Sequence, residues 1–176
     1  KVKIAWELTE VKTKNELQNS SPYFSSFNLF GKNLVPKKRS LMSYENVQDE
    51  NIVDSVAFSG THSLLLKPQQ FAPCLEILAD SIISDSTGTI TVSARVKMKS
   101  EKGGRINLVI SEDYNNVHTF WDAVKSEFFE SGDEWRTIFI KRKIEVRRGS
   151  LIKSYAWNVG SGNIYIDDLE VKVYQE

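Results

Sequence analysis

The segment Thr89–Lys99 alternates without a fault: Ile90, Val92, Ala94, Val96 and Met98 fall on one parity, and Thr91, Ser93, Arg95, Lys97 and Lys99 on the other. Successive side chains of a strand point to opposite faces. The segment therefore predicts a strand with one buried and one wetted face, the habit of antiparallel sheets. The same period recurs elsewhere. Ile106, Leu108 and Ile110 alternate with Arg105, Asn107 and Ser111, with Val109 breaking the polar side. Ile4, Trp6 and Leu8 form another set, and Ile138, Ile140 and Ile144 a further one. Ser63–Lys67, Leu75–Ala79, Val117–Phe129 (with an interruption) and Leu151–Val159 read as additional strands. Turn residues punctuate these runs at Ser59-Gly60, Gly88, Gly103-Gly104, Gly132-Asp133, Gly149 and Gly160–Gly162. Val11–Gln18 alone offers a short helix. Many short strands with such punctuation predict an all-β fold, a two-sheet antiparallel sandwich of jelly-roll type.

A chain of 176 residues suits a single domain, here taken as residues 1–176, with a core large enough to need no staples. Twenty-three basic and twenty-three acidic side chains cancel. That balance disfavours bulk nucleic-acid binding and a polybasic membrane anchor. No apolar run reaches the length of a membrane span. The one cysteine, Cys74, sits in an apolar stretch and reads as a small buried residue. Residues 19–54 form a long, mostly irregular segment whose aromatics Tyr23, Phe24, Phe27 and Phe30 predict that it packs down on the sandwich.

In the last strand Ile164 and Ile166 share one parity, whereas Leu169, Val171 and Val173 share the other. An extra residue shifts parity in this way, so a bulge is expected at Asp167-Asp168. Two adjacent carboxylates there repel each other, and a buried one needs a partner. A bound cation is one such partner; lysine, arginine or solvent is the other.

From this point the sequence resembles a known family. Gly162–Val171 resembles the final strand of the carbohydrate-binding modules of the xylanase- and glucanase-associated jelly-roll group. Ser43-Tyr44-Glu45-Asn46 is similar to their aromatic-Glu element, Ser59–Leu66 to their Gly-x-x-Ser-Leu strand entry, and Gly132–Thr137 to their Gly-x-Trp element. The match covers roughly residues 43 to 173 in order. It implies a galactose-binding-like sandwich, export from the cytoplasm to a secreted or cell-surface setting, and non-catalytic binding of a polysaccharide or oligosaccharide. It also implies a structural calcium held by Glu45, by Asp167 or Asp168, and by backbone carbonyls near Gly60. Pro36–Glu45 departs from the family, lacking the glycine that normally precedes the aromatic.

Sugar recognition needs ring faces to stack on pyranose C–H groups, with polar side chains beside them. Trp6 shares parity with Ile4 and Leu8, and Trp135 matches the family's structural tryptophan, so both are assigned to the core. Trp121 and the Tyr155/Trp157 pair are the platform candidates, with Arg105, Asn107, Glu127 and Asn158 as polar neighbours. Core packing is the alternative for each ring. The basic run Lys141–Arg148 reads as a solvated edge strand or as a surface for an acidic partner. Only two histidines are available for catalysis. His62 reads as structural, and His118 with Asp113 and Asp122 forms no known motif. A structural or protein-interaction module is the rival to sugar binding, with a small lyase or hydrolase behind it.

Overall fold

The computed structural model describes residues 12–13, 35–126 and 132–175. Trp6, the aromatics Tyr23, Phe24, Phe27 and Phe30, and Glu127 lie outside the described residues. The strands are β1 (Lys12–Thr13), β2 (Lys38–Met42), β3 (Ile52–Val53), β4 (Ser63–Leu66), β5 (Leu75–Leu78), β6 (Thr87–Ser100), β7 (Ile106–Tyr114), β8 (Val117–Lys125), β9 (Gly132–Arg147), β10 (Leu151–Asn158) and β11 (Ile164–Gln175). Seven form one sheet in the order β1-β9-β6-β11-β4-β3, with β2 also pairing β11. The other four form a second sheet, β5-β10-β7-β8. Every strand pair is antiparallel.

The apolar parities close against each other between the sheets. Ile90, Val92, Ala94, Val96 and Met98 of β6 are buried with Ile138, Ile140, Ile144 and Val146 of β9 and Ile164, Ile166, Leu169, Val171 and Val173 of β11. Ile106, Leu108 and Ile110 of β7 and Ile152 and Ala156 of β10 meet them from the smaller sheet. Each fully buried aliphatic side chain of this kind contributes about 1.5–3 kcal/mol relative to exposure. Arg142 falls on this inward parity, opposite Val92, and its Nε donates to Asp122 of β8. That pair ties the two sheets together and withdraws Asp122 from His118.

Four expectations change at the level of elements. Lys12 and Thr13 pair with Thr137 and Arg136 as strand, not helix. Lys38–Met42, read as irregular, is a strand on β11. Its residues carry little apolar periodicity because Arg39 reaches across to Glu170 instead of into a core. Gly88 lies inside β6 and does not form a turn, and Gly132 is already the first residue of β9. A Cβ at Gly88 would run into the Ile83 side chain, so close packing accounts for the glycine.

The bulge falls where parity placed it. The β11–β6 register shifts between Asp167 and Glu170, and Asp168 takes a left-handed φ of 49°. Asp167 and Glu170 both end on the outer side of the sheet, yet both are buried.

Candidate functional site

Because Ile106, Leu108 and Ile110 face the core, Asn107, Val109 and Ser111 must face outward from the four-stranded sheet. The register then fixes their neighbours. Asn107 lies opposite Trp157, Val109 opposite Tyr155, and Ser111 opposite Lys153 on β10. On the other side β8 sets Trp121 against Ser111, Ala123 against Val109, and Lys125 against Asn107. Phe71, preceding β5, makes an isolated bridge to Trp157.

Four rings therefore share one outer face. Phe71 and Trp157 stack at 5.1 Å between centroids and 14° between planes. Phe71 also meets Tyr155 at 5.8 Å, and the Trp121 indole N–H donates to the Tyr155 hydroxyl at 3.3 Å. Phe71 is 57% exposed and Trp121 48%, while Tyr155 and Trp157 are half-buried. Beneath them Asn107, Val109 and Ser111 are buried although they face away from the core. Three polar atoms of this face are buried without a hydrogen-bond partner: Asn107 Oδ1, Ser111 Oγ and Trp157 Nε1. An unpaired buried polar atom is costly, so each of these suits a small polar partner such as a buried water.

A charged group closes one end of the face. Lys153 Nζ lies 2.9 Å from Asp113 and 3.8 Å from Glu76, and His118 pairs with Asp113. The Lys153 hydrogen bond holds the Asp113 carboxyl below its usual range despite some burial, and the same bond raises Lys153. Cys74 is half-buried nearby; burial, then the Glu76 charge, pushes its thiol up to about 11. It is an unreactive thiol at neutral pH.

The platform candidates Trp121, Tyr155 and Trp157 thus come together, with Asn107 at their floor. Arg105 precedes β7 at the Asn107 end and is half-buried. Asn158 does not join them. It is buried on the inward parity of β10, donating to the Leu66 and Gly162 carbonyls, and so acts as a brace. Phe71 was missed because no alternation surrounds it; it lies outside the strands and enters the face only through its bridge to Trp157. Trp135 is buried, but against Phe58 and outside the core cluster between the sheets.

The four residues expected to hold calcium also gather, at a different corner. Glu45 Oε1 accepts the Thr61 and His62 backbone N–H groups at 3.0 Å, and Oε2 meets Thr61 Oγ1 and His62 Nδ1 at 3.0 and 3.1 Å. These bonds lower its carboxyl to about 2, the His62 backbone bond contributing most. Asp167 accepts N–H groups from Phe58, Ser59 and Asp168, and Ser59 Oγ donates to Asp168. Burial outweighs those amides and raises the Asp167 carboxyl. Gly60 lies between the two carboxylates at φ 61°, and a Cβ there would overlap Glu45.

Calcium takes six to eight oxygens converging on one point. The loop turns backbone N–H donors toward Glu45 and Asp167. Among the described residues no three Asp, Glu, His or Cys side chains come close enough to share a metal ion. The buried Tyr44 hydroxyl has no hydrogen-bond partner. As arranged, Glu45 and Asp167 clamp residues 58–62 through their backbone amides.

No family model matches the sequence, and no curated protein matches it. Solved structures do resemble the chain. The C-terminal family 22 carbohydrate-binding module of Clostridium thermocellum Xyn10B is 10% identical, with 77% of this chain and 81% of that chain covered and a TM-score of 0.49. The CBM22-1 xylan-binding domain of Paenibacillus barcinonensis Xyn10C is 14% identical, with 81% and 97% covered and a TM-score of 0.46. A Bacillus thuringiensis Cry1Da tryptic core variant is 10% identical, with 76% of this chain and 23% of that chain covered and a TM-score of 0.47. Likeness at this level does not say what the chain binds.

Proposed function

We propose that the chain is a single carbohydrate-binding module, working outside the cytoplasm, and that the outer face of the four-stranded sheet is its sugar face. The observation that carries this reading is the meeting of Phe71, Trp157, Tyr155 and Trp121 over buried, unpaired polar atoms of Asn107, Ser111 and Trp157. Ring faces supply stacking surface for pyranose C–H groups, and the Tyr155 hydroxyl and the Lys153–Asp113 pair at the end of the face supply polar groups for hydroxyls.

The role is binding without catalysis. His118 and Asp113 pair at the edge of the face, and Asp122 is taken by Arg142. Among the described residues these pairings leave neither Asp113 nor Asp122 beside a free His118 over the rings. Among the described residues no helix is long and apolar enough to cross a membrane.

The test is affinity electrophoresis through gels containing neutral polysaccharides, with wild type beside Trp121→Ala and Phe71→Ala. Both rings are exposed, so both variants should keep their melting temperature. Loss of one stacked ring should weaken retention by about tenfold, the equivalent of roughly 1.4 kcal/mol. Unretarded migration of the wild type in every neutral polysaccharide, together with binding to a protein partner that Trp121→Ala abolishes, would replace this reading by the interaction module.

A further inference from the structure

On the opposite side of the molecule, the outer face of the seven-stranded sheet gathers positive charge around one buried acid. Glu170 is 2% exposed and faces outward just after the bulge. Arg39 Nε of β2 lies 2.5 Å from its Oε1, Arg95 Nε of β6 lies 2.5 Å from its Oε2, and Lys172 Nζ lies 3.3 Å from Oε2. Burial alone would raise this carboxyl; Arg95, Arg39 and Lys172 reverse that and hold it low. One carboxylate needs one cation. Three are present, and Lys97 stands two residues from Arg95 on the same strand face.

A cavity of about 200 Å³ opens over this cluster, lined by Arg39, Leu41, Arg95, Lys97, Thr137 and Asp168. Lys97 Nζ donates to Thr137 Oγ1 at 2.8 Å, and Asp168 accepts from Ser59. Arg39, Arg95 and Lys97 line the cleft together with Asp168, and Asp167 lies opposite Lys97 on β11. Both guanidinium groups reach Glu170 through Nε. A guanidinium carries five N–H donors, so one that bonds a carboxylate through Nε has the capacity to meet a second acceptor. A planar fork suits carboxylate and sulfate oxygens in this way. The central strands β6 and β11 and the buried Glu170 hold both forks in place before any ligand arrives, which lowers the ordering cost of binding.

We propose that this cleft is a second binding site, separate from the aromatic face, and that it takes an oxyanion: the carboxylate or sulfate group of an acidic saccharide, or the same group as a free ion. Arg39 and Arg95 grip it through their outer amino groups, Lys97 and Lys172 supply charge, and Leu41 packs against the carrier.

The experiment is affinity electrophoresis in dextran sulfate and in polygalacturonate, paired with thermal shift in sodium sulfate against sodium chloride at equal ionic strength. The variants are Arg39→Gln and Arg95→Gln, with Trp121→Ala as control. Each arginine variant leaves Glu170 two cationic partners, and Arg39 is 57% exposed, so at least that variant should fold as the wild type does. Retention in either polyanion should weaken by about tenfold in each arginine variant, the loss of one charge-assisted contact, and stay unchanged in Trp121→Ala. Stabilisation by sulfate that both arginine variants lose, without polymer retention, would assign the cleft to a free ion. Equal retention of wild type and both arginine variants, or no response to any of the three anions, would overturn the proposal. Neutral-polysaccharide binding does not enter this result, so the two sites stand or fall separately.

Discussion

Glu45 accepts four hydrogen bonds from two consecutive residues, Thr61 and His62. Its carboxyl falls from 4.5 to about 2 as a result. A carboxylate whose folded pKa is depressed stabilises the fold fully above its unfolded value, and that contribution disappears as pH falls through the folded value. The window here runs from 4.5 down to about 2. Glu45→Gln removes the charge and can no longer accept at both oxygens. It is expected to melt below the wild type at neutral pH, with the gap narrowing steadily as pH is lowered through that window. Thermal denaturation at a series of pH values checks it; a gap independent of pH would mean that the carboxylate's ionisation has no part in holding residues 58–62. Asp167 carries the opposite sign. Its carboxyl is raised by burial, so it does not add to acid lability in the way Glu45 does. Two acids in one corner thus behave differently because one sits at the surface and the other is 0% exposed.

That corner is a meeting of elements: the segment after β2, the loop before β4 and the bulge in β11. As a carboxylate clamp it should be indifferent to calcium. Melting temperature is expected to be the same in EDTA and in millimolar calcium, and calcium titration should give no heat. A rise of several degrees with calcium would mean that the loop turns its carbonyls inward when the ion arrives. The bulge itself was legible because a parity switch in a strand leaves a mark in the sequence: Ile164 and Ile166 against Leu169, Val171 and Val173. So were β6 and β7, whose inward residues keep strict period two. β2 left no such mark, since Lys38–Met42 is held by β11 and by Arg39 on Glu170 rather than by a buried stripe. Trp121, Tyr155 and Trp157 were identifiable as candidates by residue type. Their meeting with Phe71 was not, because it depends on the register of β10 with β7 and on an isolated bridge. Asn158 was misplaced for the same reason in reverse: residue type suggested a polar neighbour, while parity sends it inward.

At the scale of the molecule, the two outer faces differ in chemistry. One carries stacked rings and unpaired neutral atoms; the other carries two arginine forks around Glu170. The two sheets pack about 10 Å apart, and the outer faces lie farther still from each other. Sites separated by that distance with no shared partners act additively. Salt separates them further. A neutral sugar on aromatic rings gains nothing from long-range charge, so its affinity should be nearly flat between low and high ionic strength. An oxyanion in the arginine cleft is drawn by exposed charges that a Debye length of about 8 Å at physiological salt already screens. Its affinity should fall steadily as sodium chloride is raised. Combining Trp121→Ala with Arg95→Gln should therefore give a protein whose loss of neutral-polysaccharide retention equals that of Trp121→Ala alone, at every salt concentration. Its loss of polyanion retention should equal that of Arg95→Gln alone. Electrophoresis of the single and double variants across a salt series reads both at once. A neutral-sugar affinity that fell with salt, or that dropped further when Arg95 was replaced, would join the two faces through the sandwich and require the strands they share a core with, β6 and β7, to shift together.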